Sequence, residues 1–154
     1  MSYIIIPTWD TTFMDIAKIM AARSKDPSTK CGAVIIGPHK EIRSTGYNGF
    51  CRGINECDFS MWNDREIKYD YVEHAERNAI YNATLCGVSV EDCTMYIHGM
   101  WPCPDCVRAI IQSGIKHIYI DNDDIPERWR VRMERSRNML AEAGIPVDLL
   151  GEQI

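Results

Sequence analysis

The sequence predicts a single α/β domain, residues 1–154, in which helices cover a mixed sheet. The length of 154 residues favours one domain. Short apolar strands alternate with helices in the second half, a pattern typical of a largely parallel sheet with right-handed crossovers. The first half contains two apolar runs separated by a turn, which indicates an antiparallel hairpin beside that sheet. No internal repeat, low-complexity tract or linker interrupts this order.

The first half begins with an amphipathic helix over residues 8–24. Its apolar residues recur at spacings of three and four and form one buried stripe. They are Phe13, Ile16, Ala17, Met20 and Ala21. Pro27 prevents the helix from continuing. Two strands are predicted over 31–36 and 42–47, with a turn at 37–40 between them.

The stretch from residue 46 to residue 71 is the least regular part of the chain, with three glycines and the aromatic residues Trp62, Tyr69 and Tyr71. A loop of this length inside a small domain is more often functional than idle. After this stretch, helices and strands alternate regularly. The remaining predicted elements are a helix over 72–85, a strand over 93–98, a helix over 103–113, a strand over 115–120, a helix over 125–143 and a strand over 145–150.

Composition narrows the class of protein. Hydrophobic residues make up 45% and charged residues 25% of the chain, as in ordinary soluble proteins. The net charge of -5 argues against binding to a nucleic-acid polymer, which usually needs a basic surface. We expect no membrane segment, because no apolar run approaches the length of a span. An odd number of cysteines without a signal peptide favours a reducing compartment, the cytoplasm or, for a viral protein, the host cytoplasm.

Two short motifs predict a catalytic zinc site. His74 precedes Glu76 by two residues, and Cys103 and Cys106 form a C-x-x-C pair flanked by prolines. Three protein ligands leave one coordination position open for water, which distinguishes a catalytic from a structural zinc site. Glu76 is then the expected general acid and base. The combination H-x-E with P-C-x-x-C is typical of zinc-dependent nucleobase deaminases.

Two other interpretations of the cysteine pair are weaker. A four-cysteine zinc ribbon needs a second C-x-x-C, which the chain lacks. A redox dithiol gives no reason for the His-Ala-Glu triplet. The two cysteines stand at a predicted helix start, where the partial positive charge of the helix favours thiolates. The predicted helices follow strand ends, where α/β sheets bind ligands.

The chain resembles the cytidine/deoxycytidylate deaminase superfamily and, within it, the phage and bacterial deaminases that act on deoxycytidylate (dCMP). Six segments between residues 10 and 120 carry the resemblance. They are Arg23-Ser24-Lys25-Asp26-Pro27-Ser28-Thr29-Lys30, Gly32-Ala33-Val34-Ile35, Gly46-Tyr47-Asn48-Gly49, His74-Ala75-Glu76-Arg77-Asn78-Ala79-Ile80, Pro102-Cys103-Pro104-Asp105-Cys106 and Ile110-Ile111-Gln112-Ser113-Gly114-Ile115.

The resemblance implies a three-layer α/β/α fold around a five-stranded mixed sheet. It implies hydrolytic conversion of dCMP to dUMP and ammonia, in a homo-oligomer that is commonly a hexamer. His74, Cys103 and Cys106 are the implied zinc ligands, and Glu76 is the implied proton shuttle. One catalytic Zn²⁺ per chain follows from this ligand set.

The resemblance also implies substrate contacts. Asn48 hydrogen-bonds the base or sugar, the backbone N–H of Ala75 binds the pyrimidine O2, and the carbonyl of Trp101 receives the departing amino group. Arg23, Ser24 and Lys25, together with Lys30, are candidates for holding the phosphate. A set of solvated loop charges is the alternative for these last residues.

Regulation by dCTP and dTTP occurs in many relatives. The loop that binds these effectors has a proline where this chain has Cys51, so effector control is left open. Gly49 and Arg52 are the candidate effector-binding residues. Some phage relatives have a second, structural zinc site, and Cys51 and Cys57 are candidate ligands for such a site. Their spacing is not diagnostic, so we expect one zinc ion per chain. Cys31 and Cys93 are expected to be buried small side chains.

Three other functions are alternatives to the deamination of dCMP. A deaminase acting on another small cytosine or adenine compound would share the zinc motifs. A deaminase acting on a modified dCMP would also share them, because room at the pyrimidine C5 is invisible in the sequence. A non-catalytic zinc or nucleotide-sensing module belongs to another class, and it would not need Glu76 beside its metal. The arginine-rich segment 128–137 is expected to be a solvated or intersubunit helix face.

Overall fold

Strands and helices alternate along most of the chain in the computed structural model, which describes residues 4–151. The elements, in chain order, are α1 (Trp9–Ala21), β1 (Gly32–Ile36), β2 (Ile42–Tyr47), β3 (Gly49–Phe50), α2 (Phe59–Asn63), α3 (Arg65–Tyr71), β4 (Val72–Glu73), α4 (Ala75–Leu85), β5 (Thr94–His98), α5 (Pro104–Gln112), β6 (His117–Ile120), a 3-10 turn (Glu127–Trp129), α6 (Arg130–Glu142) and β7 (Val147–Leu149).

The main sheet has five strands in the order β2-β1-β5-β6-β7. Strand β1 pairs antiparallel with both β2 and β5, whereas β5, β6 and β7 are mutually parallel. The helices α5 and α6 form the crossovers between the parallel strands. The predicted mixed sheet, with its hairpin at one side, is therefore confirmed.

Helices cover both faces of this sheet, and the two faces use alternate residues of β1. Val34 and Ile36 pack with Phe13 and Met14 of α1 on one face. Ala33 and Ile35 belong to a larger core on the opposite face, to which α4 and α5 contribute Ala75, Ala79, Cys106, Val107 and Ile110. This period-two alternation produces the three-layer α/β/α arrangement that was expected.

Glycines allow two helices to approach the sheet closely. A Cβ added at Gly32 would lie 1.9 Å from the carbonyl oxygen of Ala17 in α1. A Cβ added at Gly46 would lie 2.4 Å from the carbonyl oxygen of Ala75 in α4. No real side-chain carbon fits at such distances, so both positions require glycine. The second contact fixes the start of α4, where the candidate site begins.

The irregular stretch between the hairpin and α4 contains more structure than its sequence indicates. It forms the short helices α2 and α3, which are capped by the carboxylates of Asp58 and Asp64. The ring of Trp62 stacks on Phe50 with centroids 4.2 Å apart. Local capping and one aromatic pair stabilise this segment, features that hydrophobic periodicity does not detect.

Three predicted helices have different bounds in the structure. The helix predicted over 8–24 spans Trp9–Ala21. The helix predicted from residue 72 begins at Ala75, because Val72 and Glu73 are held extended as β4 by pairing with β3. The helix predicted over 125–143 is a 3-10 turn followed by α6, which ends at Glu142. Among the described residues, no helix is long and apolar enough to cross a membrane.

Candidate metal centre and its cavity

Two helix starts on the same side of the sheet bring the motif residues together. His74 is the N-cap of α4 and Cys103 is the N-cap of α5, and both have extended backbone conformations. Cys106 lies in the first turn of α5, which Pro104 begins. A proline fits there because the first backbone N–H groups of a helix have no partner within the helix.

The side-chain donors have the spacing of a tetrahedral zinc site. The Nδ1 of His74 lies 3.5 Å from the Sγ of Cys103 and 3.4 Å from the Sγ of Cys106. All three donor atoms lie within 4.8 Å of one another. Zinc bonds of roughly 2.0–2.3 Å in a tetrahedron place a nitrogen and a sulfur donor about 3.6 Å apart. The three residues therefore fit a zinc ion without rearrangement.

The thiols of the pair are electrostatically unequal. A hydrogen bond with Cys106 lowers the pKa of the Cys103 thiol to about 4, although burial opposes this shift. The same hydrogen bond, together with burial, raises the pKa of Cys106 well above its ordinary value. The hydrogen bond to Cys103 raises the pKa of His74. A bound divalent cation would favour the thiolate form of both cysteines.

Glu76 lies two residues into α4, beside these donors. Only 5% of its surface is exposed. Burial raises the pKa of its carboxyl, and the neighbouring His74 opposes that shift. A buried carboxyl beside the zinc donors is placed to take up and release a proton, as a general acid and base must.

These residues form one end of a cavity of about 650 Å³. Its volume falls within the roughly 300–1,000 Å³ that small-molecule sites usually have. Residues of several segments line it. Besides the motif residues, the wall includes Asp26, Ser28, Thr29, Cys31, Asn48, Lys68, Tyr69, Met100, Trp101, Arg128, Trp129 and Arg132. The site therefore combines a metal centre with room for a small organic substrate.

The three residues expected to bind the base all line this cavity: Asn48, Ala75 and Trp101. The Oδ1 of Asn48 accepts a hydrogen bond from the backbone N–H of Cys31 at 2.8 Å, and its Nδ2 donates to the carbonyl of Thr29 at 2.9 Å. The Asn48 side chain is therefore rigidly oriented by the backbone around it.

The residues expected to hold a phosphate do not line the cavity. Lys25 forms an ion pair with Glu56. The hydroxyl of Ser24 donates a hydrogen bond to the carbonyl of Asn48 at 2.8 Å, and the ammonium group of Lys30 contacts the carbonyl of Ser24. Arg23 also lies outside the lining. Ser24 and Lys25 thus organise the loop, and the geometry gives their predicted phosphate contact no support.

The candidate effector residues also lie outside the cavity lining. Gly49 belongs to the short strand β3. The guanidinium of Arg52 donates a hydrogen bond to the Oδ1 of Asn82 in α4 at 2.8 Å. These positions are separate from the lining residues, and their role as effector contacts stays a prediction.

The sequence motifs do not predict one part of the cavity wall. Lys68 and Tyr69 come from α3, Arg128 and Trp129 come from the 3-10 turn, and Arg132 comes from the start of α6. The rings of Tyr69 and Trp129 meet edge to face at 6.1 Å. The spacing of four residues between Arg128 and Arg132 is the one sequence pattern that could have identified this wall.

A model of the cytidine and deoxycytidylate deaminase zinc-binding region matches residues 7–121. The chain belongs to this family. The matched region includes both helix starts that carry His74, Glu76, Cys103 and Cys106. Membership of this zinc-binding family agrees with the His/Cys/Cys donor set.

Family members with curated names are similar along much of the chain. An uncharacterized deaminase from the luxG 3′ region of Aliivibrio fischeri is 37% identical over 148 residues, covering 95% of this chain and 96% of that protein. Human deoxycytidylate deaminase is 39% identical over 120 residues, or 75% of this chain and 65% of that protein. The phage T4 deoxycytidylate deaminase is 34% identical over 146 residues, or 70% and 75% of the two chains.

The fold agrees with a solved deaminase of the family. The crystal structure of dCMP deaminase from cyanophage S-TIM5, in complex with dCMP and dUMP, has a TM-score of 0.74. The match covers 95% of this chain and 99% of that one, with 24% sequence identity. This likeness shows that the three-layer fold with its five-stranded mixed sheet is the deaminase fold.

Proposed function

We propose that this chain is a zinc-dependent deaminase that converts dCMP and water to dUMP and ammonia. The observation that carries the proposal is the meeting of three zinc donors and the buried Glu76 at one end of a substrate-sized cavity. Deoxycytidylate deaminases of human and phage T4 are relatives at 39% and 34% identity. The similar cyanophage structure holds dCMP and dUMP.

One catalytic zinc ion per chain would be held by His74, Cys103 and Cys106. When bound, zinc supplies Lewis acidity, which makes a water nucleophilic near neutral pH. Two thiolates and a neutral imidazole bring the summed charge of the centre to zero. This arrangement avoids burying a net charge beside an uncharged pyrimidine.

Glu76 would carry the protons of the reaction. Its carboxylate accepts a proton from the attacking water and delivers it to N3 of the pyrimidine while a C4–O bond forms. Glu76 then takes the proton of the new C4 hydroxyl and passes it to the amino group as the C4–N bond breaks, so ammonia leaves and a carbonyl remains at C4. Burial raises the pKa of this carboxyl, which favours its uptake of the proton from water.

Three further residues would hold the base against Glu76. The backbone N–H of Ala75 binds the pyrimidine O2, Asn48 contacts the base or sugar, and the carbonyl of Trp101 accepts a hydrogen bond from the departing amino group. The indole Nε1 of Trp101 is buried and has no hydrogen-bond partner among the described residues. A substrate oxygen could satisfy that donor, which supports a ligand beside this ring.

Other features of the proposed function rest on the resemblance of the chain to the deaminase family. We infer a single-domain, cytoplasmic enzyme that assembles as a homohexamer and acts on a free nucleotide, independently of nucleic-acid polymers and membranes. Control by dCTP and dTTP would act through Gly49 and Arg52. In the loop that contains these residues, Cys51 replaces the usual proline. Sedimentation would test the hexamer, and a dCMP saturation curve with and without dCTP would test the control.

A substrate panel tests the proposed function. Ammonia release is measured with dCMP, deoxycytidine, cytosine, a C5-modified dCMP and adenosine, before and after zinc chelation. We expect dCMP to have the highest kcat/KM and chelation followed by zinc addition to restore activity. Equal kcat/KM for dCMP and deoxycytidine would reject the nucleotide assignment, and ammonia release that survives chelation would reject the zinc assignment.

A further inference from the structure

One wall of the cavity comes from outside the region that the family model matches. The model ends at residue 121. Beyond it, the 3-10 turn and the start of α6 contribute Arg128, Trp129 and Arg132 to the cavity lining. The zinc donors and this wall therefore lie in separate segments of the chain.

The cations of the cavity differ in their charge balance. Lys68 is paired with Asp26 at 2.8 Å, and Arg77 is paired with Glu73 at 2.5 Å. Arg132 is paired with Asp105 at 2.6 Å. Arg128 differs from these three: among the described residues, no carboxylate lies within ion-pair distance of its guanidinium.

Arg128 lies beside an aromatic pair that also lines the cavity. Its guanidinium lies 5.7 Å from the ring centroid of Trp129, and that ring contacts Tyr69 edge to face. Four residues further on, the ion pair of Arg132 with Asp105 ties the wall to α5, the helix that carries both cysteines. The wall is thus held at a set place relative to the metal donors.

We propose that Arg128 is a specificity-determining residue that binds the 5′-phosphate of the substrate. The proposal rests on the proposed function, because it assigns the part of the substrate that does not react. An unpaired guanidinium can form two parallel hydrogen bonds with a phosphate, a geometry that a lysine does not reproduce. Carboxylates neutralise the other cations of the cavity. The charge of Arg128 is therefore available to a substrate anion.

This assignment replaces the loop around Ser24 and Lys25 as the phosphate site. That loop is occupied by its own contacts with Asn48 and Glu56. The chain carries a net charge of -5, so a general basic surface does not attract the anion. A local unpaired cation at the cavity wall supplies the attraction instead.

Arg130→Gln is a matched control for Arg128→Gln. Arg130 lies two residues away on the same segment, is paired with Glu127 at 2.7 Å, is exposed and does not line the cavity. Both substitutions remove one positive charge, from positions two residues apart at the junction of the 3-10 turn and α6. Arg128→Lys is a third variant, which keeps the charge but loses the two parallel hydrogen bonds.

The experiment measures kcat/KM for dCMP and for deoxycytidine with each variant, and dUMP affinity by calorimetry. We expect Arg128→Gln to lower kcat/KM for dCMP by about 10- to 100-fold and to weaken dUMP binding similarly, in line with the loss of a charge-assisted hydrogen bond. Its kcat/KM for deoxycytidine should change less than about twofold, as should both values for Arg130→Gln. Arg128→Lys should fall between wild type and Arg128→Gln.

Two results would overturn the inference while leaving the proposed function intact. The first is that Arg128→Gln prefers dCMP over deoxycytidine as strongly as wild type does. The second is an equal loss on dCMP and deoxycytidine, which would indicate a distorted cavity in place of a lost phosphate contact. A wild-type protein without any preference for dCMP would contradict the proposed function itself, and this inference with it.

Discussion

The imidazole Nδ1 of His74 lies 3.4 Å from the Sγ of Cys106, although 32 positions separate the two residues in the chain. The contact joins the N-cap of α4 to the first turn of α5, so two helix starts must be correctly placed for it to form. The preorganisation of the metal centre therefore depends on how these helices pack on the sheet.

Removal of one donor should remove the metal. We expect Cys106→Ala to purify with far less than one zinc per chain, because two remaining donors bind zinc much more weakly than three. Cys31→Ala is the matched control. Cys31 also lines the cavity, but it lies outside the donor cluster formed by His74, Cys103 and Cys106. Metal analysis measures the zinc content of each variant. Equal zinc content in the two variants would contradict the ligand assignment.

Packing at Gly46 should control the position of α4. A Cβ at this position would lie 2.4 Å from both the Ala75 oxygen and the Ala79 nitrogen. We expect Gly46→Ala to cost about 1–3 kcal/mol of unfolding free energy and to reduce activity, because α4 must move with Glu76. Gly151→Ala meets no atom within 4 Å and serves as the control. Denaturant unfolding that finds the two variants equally stable would contradict this packing account.

The buried carboxyl of Asp26 should contribute stability that disappears in acid. Burial alone would raise its pKa, but hydrogen bonds from Lys68, Ser28 and Thr29 outweigh burial and lower the pKa below 3.8. The stabilisation is therefore present above about pH 3.8 and is lost as the pH falls through the lower, folded-state pKa. We expect Asp26→Asn to cost about 1–3 kcal/mol at neutral pH.

The pH dependence of that difference is the sharper test. The gap in unfolding free energy between wild type and Asp26→Asn should shrink as the pH falls below about 4, because protonation gives wild type the same neutral state. Asp15→Asn is the control, since Asp15 is more than half exposed and its 3.6 Å pair with Lys18 should contribute less than about 1 kcal/mol. A gap for Asp26→Asn that is constant from pH 7 to pH 3 would contradict the account.

Much of this molecule was predictable because its patterns are local. The apolar run of β1 and the helical spacing in α1 predicted these elements, and the spacing of His74, Glu76, Cys103 and Cys106 predicted the metal centre. These features depend on residues that are close in sequence or on fixed ligand chemistry. The family resemblance added the five-stranded sheet and the three-layer arrangement, which short patterns do not determine.

The remaining features depend on contacts between distant residues. Lys25 resembles a phosphate ligand in sequence, yet its partner Glu56 lies 31 positions away and is brought close only by the fold. Arg128 looks like one of several solvated arginines until the salt bridges of the cavity are known. Strand β4 forms only because β3 is beside it, which moves the start of α4 to Ala75.

The most direct test of the central claim is the rate of dCMP deamination by Glu76→Gln, measured with its zinc content. Glutamine keeps the size of the side chain but cannot carry a proton between water and the pyrimidine. We expect about one zinc per chain and a loss of at least about 100-fold in kcat, the lower end of what general acid–base catalysis contributes. A variant that holds zinc and turns over dCMP at a near wild-type rate would contradict the assignment of Glu76 as the proton carrier.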